Sequence, residues 1–154
     1  MKLLYRLLAA TIAATFWAIT PIDAAQAGHN SVFLFSGETL LPGQYLRNTS
    51  APGYRLIMQL DGNLVLYERP GTSGQRACAW SNTTRWPGSH AWMSPDGYFA
   101  VFEPHGGVVW TTRPGTERKN INRLDQAQVV LYANGDARVV SRQSSSEYFE
   151  FWHC

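Results

Sequence analysis

The sequence has little of what an enzyme or a metalloprotein needs. Charged residues make up only 16% of the 154 residues, and the chain has two cysteines. No Ser/His/Asp or Cys/His arrangement can be argued from the order of the residues. The four histidines show no metal-ligand spacing, and they are His29, His90, His105 and His153. We therefore expect no catalytic residues, no metal site and no cofactor.

Residues 1–27 have the pattern of a secretory signal peptide. Lys2 and Arg6 precede an apolar stretch from Leu7 to Ile19, and Ala25-Gln26-Ala27 supplies a small-x-small cleavage site. The apolar stretch is short for a membrane span. We expect a cleaved signal helix at 1–27, one domain at 28–154, and no stable membrane span after cleavage. A secreted or periplasmic location follows from this prediction.

The mature chain has almost no net charge. Removing Lys2, Arg6 and Asp23 from the 13 basic and 11 acidic residues leaves 11 and 10. A protein that binds nucleic acid carries an excess of Lys and Arg on one face. We therefore expect no nucleic-acid partner.

One hairpin pattern occurs three times. QLDGNLVLY (59–67), SPDGYFAVF (94–102) and YANGDARVV (132–140) align, and their turn glycines are 35 and then 38 residues apart. Internal repeats of this period determine a whole fold, because one unit cannot bury its apolar face alone. The three copies predict three small sheets that pack around a shared axis.

Each repeat has apolar residues at alternate positions, and a tryptophan follows it in a short strand. The tryptophans are Trp80, Trp110 and Trp152, and we expect them to meet near the axis because their side chains bury large areas. Pro-Gly pairs separate segments of strand length along the chain. The sequence therefore predicts an all-β domain.

The first hairpin has one apolar and one polar face. Met58, Leu60, Leu64 and Leu66 alternate with a second set of residues, and strand side chains alternate between faces. A loop of Asp61, Gly62 and Asn63 would pair Leu60 with Leu64, whereas a loop of Asp61 and Gly62 alone would mix the two faces. We predict the three-residue loop, with Asn63 in the left-handed conformation. The second set, on the outward face, is Gln59, Asp61, Asn63, Val65 and Tyr67.

These five residues match a known signature. The chain resembles the bulb-type (monocot mannose-binding) lectin family, whose motif is Q-x-D-x-N-x-V-x-Y. SGETLLPGQYL (36–46) is similar to the opening strand of that family, and AWSNTT (79–84) to its repeat-closing W-x-x-N-T. The resemblance implies a β-prism of three four-stranded antiparallel sheets with pseudo-threefold symmetry, and a mannose site that needs no metal.

The resemblance also implies a role for each residue of the signature. Asp61 and Asn63 would bind the axial 2-hydroxyl of mannose, Gln59 the 3-hydroxyl and Tyr67 the 4-hydroxyl, while Val65 would pack on the ring carbons. A hydroxyl both donates and accepts, so a carboxylate beside an amide can satisfy it. The expected partners are mannose-type glycans on glycoproteins or cell surfaces.

The other two repeats depart from the signature. The second has Ser94, Asp96, Tyr98, Ala100 and Phe102 in the five places. We expect no mannose binding there and assign Tyr98 and Phe102 to packing, with stacking on another sugar or covering a partner surface as the alternatives. The third repeat has Tyr132, Asn134, Asp136, Arg138 and Val140, where Arg138 leaves an acidic sugar as an alternative to no binding.

The two cysteines are predicted to pair. Cys78 lies two residues before Trp80 and Cys154 two residues after Trp152, so each shares a strand face with its tryptophan. Paired cysteines are typical of exported proteins. We expect a Cys78–Cys154 disulfide, with free thiols as the alternative.

The leading functional hypothesis is a secreted lectin that binds mannose through one intact site. A single shallow site binds weakly, so self-association into a homo-oligomer or clustered glycans would be needed for avidity. The alternatives are a lectin-like antibacterial toxin and a structural or protein-interaction module that does not bind sugar. An enzyme is not expected.

Overall fold

A computed structural model describes residues 31–112, 127–141 and 148–154. These residues form twelve strands and no helix. Within these three ranges, no helix has the length and apolar character that crossing a membrane requires. The predicted signal peptide and the domain boundary after residue 27 lie outside the described residues.

The segment before the first repeat contributes one short strand to each of three sheets. Strand β1 (Phe33–Phe35) joins the sheet of the third repeat, β2 (Thr39–Leu40) that of the second, and β3 (Tyr45–Asn48) that of the first. Turns at Gly37 and Gly43 separate them, and both glycines have positive φ. The segment therefore links all three repeats.

Each repeat supplies the other three strands of its sheet. The first sheet has the order β3-β4-β5-β6, the second β2-β7-β8-β9 and the third β1-β10-β11-β12, with antiparallel pairing throughout. The strands are β4 (Tyr54–Met58), β5 (Leu64–Glu68), β6 (Arg76–Trp80), β7 (His90–Met93), β8 (Phe99–Phe102), β9 (Val108–Thr111), β10 (Ala127–Leu131), β11 (Ala137–Ser141) and β12 (Tyr148–Trp152). This arrangement confirms the predicted all-β fold of three four-stranded sheets.

The core lies between the three sheets. Leu34, Leu40 and Leu46, one from each of the first three strands, are fully buried. Full burial of such a side chain contributes about 1.5–3 kcal/mol. The inward residues predicted for the repeats are buried with them, and they are Met58, Leu64, Leu66, Met93, Phe99, Val101, Leu131, Ala137 and Val139.

The predicted register of the first hairpin is wrong by two residues. Strand pairing joins Met58 to Leu64 and Ile57 to Val65, so the loop consists of Leu60, Asp61 and Gly62. The Gln59 N–H donates to the Asn63 carbonyl at 2.8 Å, and the Gly62 N–H donates to the Gln59 carbonyl at 3.1 Å.

Glycine explains this register. The last residue of such a three-residue loop needs a left-handed backbone, and Gly62 adopts it with φ of 92° in place of Asn63. A shift of two residues leaves the strand faces unchanged, but it moves Leu60 from the core into the loop, where it is 74% exposed.

The prediction that three tryptophans meet at the axis is wrong for Trp80. The rings of Trp110 and Trp152 lie 5.0 Å apart and pack against the core, whereas Trp80 is 54% exposed. Trp110 pairs with Val101, and the equivalent partner of Leu66 in the first sheet is Ala79. The tryptophan is therefore one residue late in β6, which places it on the opposite face.

The predicted disulfide between Cys78 and Cys154 is present. It links β6 to the residue pair that follows β12, with the two Cα atoms 5.1 Å apart, and both residues pack against the core. The bond therefore joins the first sheet to the third.

Removing this disulfide should destabilise the fold. The bond closes a loop across 76 residues, and a loop of that length is worth about 3–5 kcal/mol in the free energy of unfolding. We expect the Cys78→Ala/Cys154→Ala variant to lose that amount in equilibrium urea unfolding. Wild type under reducing conditions is the control and should show the same loss. An unchanged midpoint in the variant would contradict this.

Candidate functional site

Gln59 and Tyr67 form an oriented pair on the outward face of the first hairpin. The Gln59 Nε2 donates to the Tyr67 hydroxyl oxygen at 3.0 Å, and both residues are half-buried. Tyr67 extends from β5, whereas Gln59 directly follows β4 and enters the turn. The pair leaves the hydroxyl hydrogen of Tyr67 to donate and the amide oxygen of Gln59 to accept.

Asp61 lies in the loop and is exposed. Its Oδ1 accepts a hydrogen bond from the Asn63 N–H at 3.0 Å. Short polar side chains commonly hold turns in this way. In the described part of the chain, no other group donates to this carboxylate, so the second oxygen is available to a ligand.

Hydrogen bonds from Ser81 and Thr83 fix the side-chain amide of Asn63. The Asn63 Oδ1 accepts from the Ser81 hydroxyl at 3.0 Å and from the Thr83 N–H at 3.3 Å. A main-chain N–H can only donate, so the atom that faces it must be the amide oxygen. Among residues 31–112, 127–141 and 148–154, none accepts from Asn63 Nδ2, which is left as the group that can meet a ligand.

Ser81 and Thr83 support the site, and the prediction from the sequence does not include them. Both are buried, their hydroxyls lie 2.6 Å apart, and Thr83 Oγ1 donates to the Gly62 carbonyl at 2.6 Å. The signal that could have found them is the AWSNTT segment, whose alternate polar residues share a strand face. They fix the turn and the Asn63 amide together.

Val65 is almost completely covered. It is 3% exposed, and its strand partners on either side are Ile57 and Trp80. Residues paired across antiparallel strands share a face, so these side chains form one row on the outward surface. Val65 lies where the prediction places it, on the face of Tyr67, but offers a ligand little surface.

In the second repeat, aromatic side chains occupy the outward face. Trp92 makes edge contacts with Tyr98 at 6.0 Å and with Phe102 at 5.8 Å between ring centroids. The Ser94 side chain is buried and accepts from the Asp96 N–H at 3.0 Å. This packing agrees with the expectation for Tyr98 and Phe102.

In the third repeat, an ion-pair network stands at the place of the polar residues of the first hairpin. We call that set the polar row, and its members are Gln59, Asp61, Asn63 and Tyr67. Arg138 contacts Asp136 and lies 3.3 Å from Glu150, and His153 Nδ1 contacts the other oxygen of Asp136. The positive charge of Arg138 is balanced within the protein, which does not favour an acidic sugar. The carboxylates and His153 lie within reach of one ion, but the guanidinium already binds both carboxylates.

Asp136 is ionised more readily than an ordinary aspartate. Burial alone raises its pKa, but hydrogen bonds from His153 and Asn134 and the charge of Arg138 outweigh burial, so the pKa lies below its usual 3.8. Asn134 Nδ2 donates to Asp136 at 2.9 Å. The third turn is therefore built around a buried carboxylate.

An open groove of about 510 Å³ lies on the third sheet, away from the first hairpin. Its lining is mainly apolar and includes Phe33, Val130 and Val140. The groove has two amide side chains, those of Asn48 and Gln128. The Asn48 amide already donates to the Leu131 carbonyl at 3.0 Å, so Gln128 is the amide that a ligand could meet. The described residues that line the groove do not form a converging polar set like that of the first hairpin.

Solved structures similar to this chain include monocot mannose-binding lectins. A monomeric lectin from Gastrodia elata has a TM-score of 0.59 at 23% identity, covering 79% of this chain and 94% of that one. The snowdrop (Galanthus nivalis) agglutinin complexed with methyl-α-D-mannoside has a TM-score of 0.57 at 24% identity, covering 71% and 89%. A lectin from Allium sativum has a TM-score of 0.56 at 26% identity, covering 70% and 91%.

These structures show that the chain has the β-prism fold of the bulb-type lectins, as the resemblance in the sequence predicts. No protein-family model matches the chain. No curated protein matches it either.

Gly62 should tolerate no side chain. A Cβ on Gly62 would lie 2.1 Å from the Trp86 carbonyl oxygen, whereas one on Gly106 would meet nothing within 4 Å. Gly106 has almost the same φ in an equivalent turn. We expect Gly106→Ala to lose about 1–2 kcal/mol from the left-handed backbone and Gly62→Ala to lose several times more in chemical denaturation. Equal losses would contradict the contact with Trp86.

The Asp136 network should make stability depend on pH. Because the folded pKa lies below the usual 3.8, the stabilisation is fully present above that value and is lost as the pH falls through the folded pKa. We expect Asp136→Asn to be less stable than wild type at pH 7 by about 1–3 kcal/mol, with a smaller gap at pH 2. Urea unfolding at both pH values measures it, and a constant gap would contradict the prediction.

Proposed function

We propose that the protein is an exported lectin that binds mannose or mannose-containing glycans through its first hairpin. The observation that carries the proposal is the anchoring of Asn63 by Ser81 and Thr83, which leaves its Nδ2 to donate beside the carboxylate of Asp61. Further support comes from the shared fold with a snowdrop agglutinin whose structure contains methyl-α-D-mannoside.

The axial 2-hydroxyl of mannose suits the Asp61 and Asn63 groups. Asp61 accepts a hydrogen bond from the hydroxyl, and Asn63 Nδ2 donates one to the hydroxyl oxygen, so the hydroxyl is satisfied both as a donor and as an acceptor. Glucose has this hydroxyl in the equatorial position and would leave the two groups without a partner. An unpaired polar group in a partly dry site costs about 1–3 kcal/mol, which is the expected discrimination.

The neighbouring hydroxyls suit the Gln59 and Tyr67 pair. The internal bond at 3.0 Å leaves Gln59 Oε1 as an acceptor and the Tyr67 O–H as a donor. In the proposed complex, the 3-hydroxyl donates to Gln59 and the 4-hydroxyl accepts from Tyr67. The polar row therefore recognises the 2-, 3- and 4-hydroxyls by the positions of its hydrogen-bond donors and acceptors.

One site of this kind implies weak binding to a single sugar. Aromatic packing and an ion-pair network occupy the corresponding faces of the other two repeats. A shallow site gives a Kd of about 1 mM, or about 4 kcal/mol. Clustered glycans or self-association into a homo-oligomer would raise the avidity.

Export is part of the proposal. The signal pattern at 1–27 directs the chain out of the cytoplasm. The Cys78–Cys154 disulfide fits an oxidising compartment. We propose that the mature protein meets glycans outside the cytoplasm, in the periplasm or the extracellular space.

Calorimetric titration with methyl-α-mannoside tests the proposal. We expect wild type to bind at about millimolar Kd and Asp61→Ala to bind at least tenfold more weakly, because the 2-hydroxyl loses its acceptor. Methyl-α-glucoside should bind more weakly than the mannoside to wild type.

Asp96→Ala is the matched control. Asp96 is exposed at the equivalent position of the second hairpin, where the outward face is aromatic. This variant should bind mannoside as wild type does. Equal binding by wild type and Asp61→Ala, or none by either, would end the proposal.

A further inference from the structure

Trp80 is a large apolar side chain on the surface of the sheet that carries the polar row. It is the last residue of β6 and is 54% exposed. Its counterparts Trp110 and Trp152 pack on the core and on each other. Burial of the indole would stabilise the fold, and its exposure instead leaves a large apolar ring accessible to a ligand.

The strand register places Trp80 beside the polar row. Leu66 pairs with Ala79 on the inward face, and Val65 pairs with Trp80 on the outward face. The sheet has a bulge between Leu66 and Tyr67, where Cys78 is the extra residue of β6. Trp80 thus lies across from Val65, between the strand positions of Asn63 and Tyr67.

Trp80 also provides the exposed apolar surface that the covered side chain of Val65 lacks. Val65 is 3% exposed, and its other strand partner, Ile57, is half-buried. A sugar bound to Gln59, Asp61 and Tyr67 would meet the indole as the exposed apolar group of this row. Pyranose rings carry a face of C–H groups, which packs on aromatic rings while the hydroxyls bond at the edges.

We propose that Trp80 packs on the ring of the sugar bound by the first hairpin and supplies the apolar contact of the site. The inference rests on the proposed function, since it needs a sugar held by the polar row. It adds a residue that the five-residue signature does not contain. It also assigns a cause to the position of the tryptophan, one residue late in β6.

Paired titrations of Trp80→Ala and Trp80→Phe test the proposal. We expect Trp80→Ala to bind methyl-α-mannoside about tenfold more weakly, the size expected for loss of one aromatic contact. Trp80→Phe should recover most of the affinity, because a smaller aromatic ring remains. Far-UV circular dichroism should be unchanged in both, since the side chain is exposed.

Phe33→Ala is the control, because Phe33 is an aromatic residue 39% exposed on the third sheet. It should bind as wild type does. In NMR spectra, the indole N–H signal that is missing from Trp80→Phe should shift when mannoside is added to wild type.

The outcomes separate the two proposals. If wild type binds mannoside and Asp61→Ala does not, but Trp80→Ala binds as wild type, the Trp80 contact is wrong and the lectin proposal stands. The Trp80 contact would also be wrong if the indole N–H signal of wild type did not shift at saturating sugar. If wild type binds no sugar, both proposals fail.

Discussion

Each of the three sheets has one apolar face and no second layer of its own, so it can bury that face only against the other two. Leu34, Leu40 and Leu46 illustrate the constraint, since each enters the shared core from a different sheet. The candidate site depends on the same packing. Strand side chains alternate, and the burial of Leu64 and Leu66 directs Val65 and Tyr67 to the opposite surface. The core therefore orients the polar row from the opposite face of the sheet.

The hairpins and their inward residues could be predicted from the sequence, because alternation with a period of two is a local signal. The loop of the first hairpin could not, since registers that differ by two residues give identical faces. The backbone of Gly62 and the carbonyl of Trp86 distinguish them, and that contact comes from 24 residues further along the chain. The support of Asn63 by Ser81 likewise depends on strand pairing across 18 residues. The prediction for Trp80 is wrong because this residue stands one position later in β6 than Trp110 does in β9, and the inward position of β6 belongs to Ala79.

The three repeats share a core and differ on their outer faces. The first presents Gln59 and Tyr67 as a hydrogen-bonded pair, the second packs Tyr98 on Trp92, and the third buries the carboxylate of Asp136. Inward and outward positions alternate along each strand, so substitutions on one face leave the other unchanged. One scaffold can thus carry three chemically distinct surfaces, of which the first is the proposed sugar site.

The distribution of β1, β2 and β3 over the three sheets has a consequence for biosynthesis. The strand partners of these three strands lie at increasing distances along the chain. Leu46 of β3 pairs with Leu56, Leu40 of β2 pairs with Ala91, and Phe33 of β1 pairs with Val130. Contacts between distant residues form late, because closing a long loop costs entropy before any pairing compensates for it. During synthesis, the strands of the first sheet become available for pairing long before those of the third, but the apolar face of the first sheet stays uncovered until the later repeats arrive. Until translation reaches the final strands, β1 remains an unpaired edge, and a cell would need to shield it from aggregation.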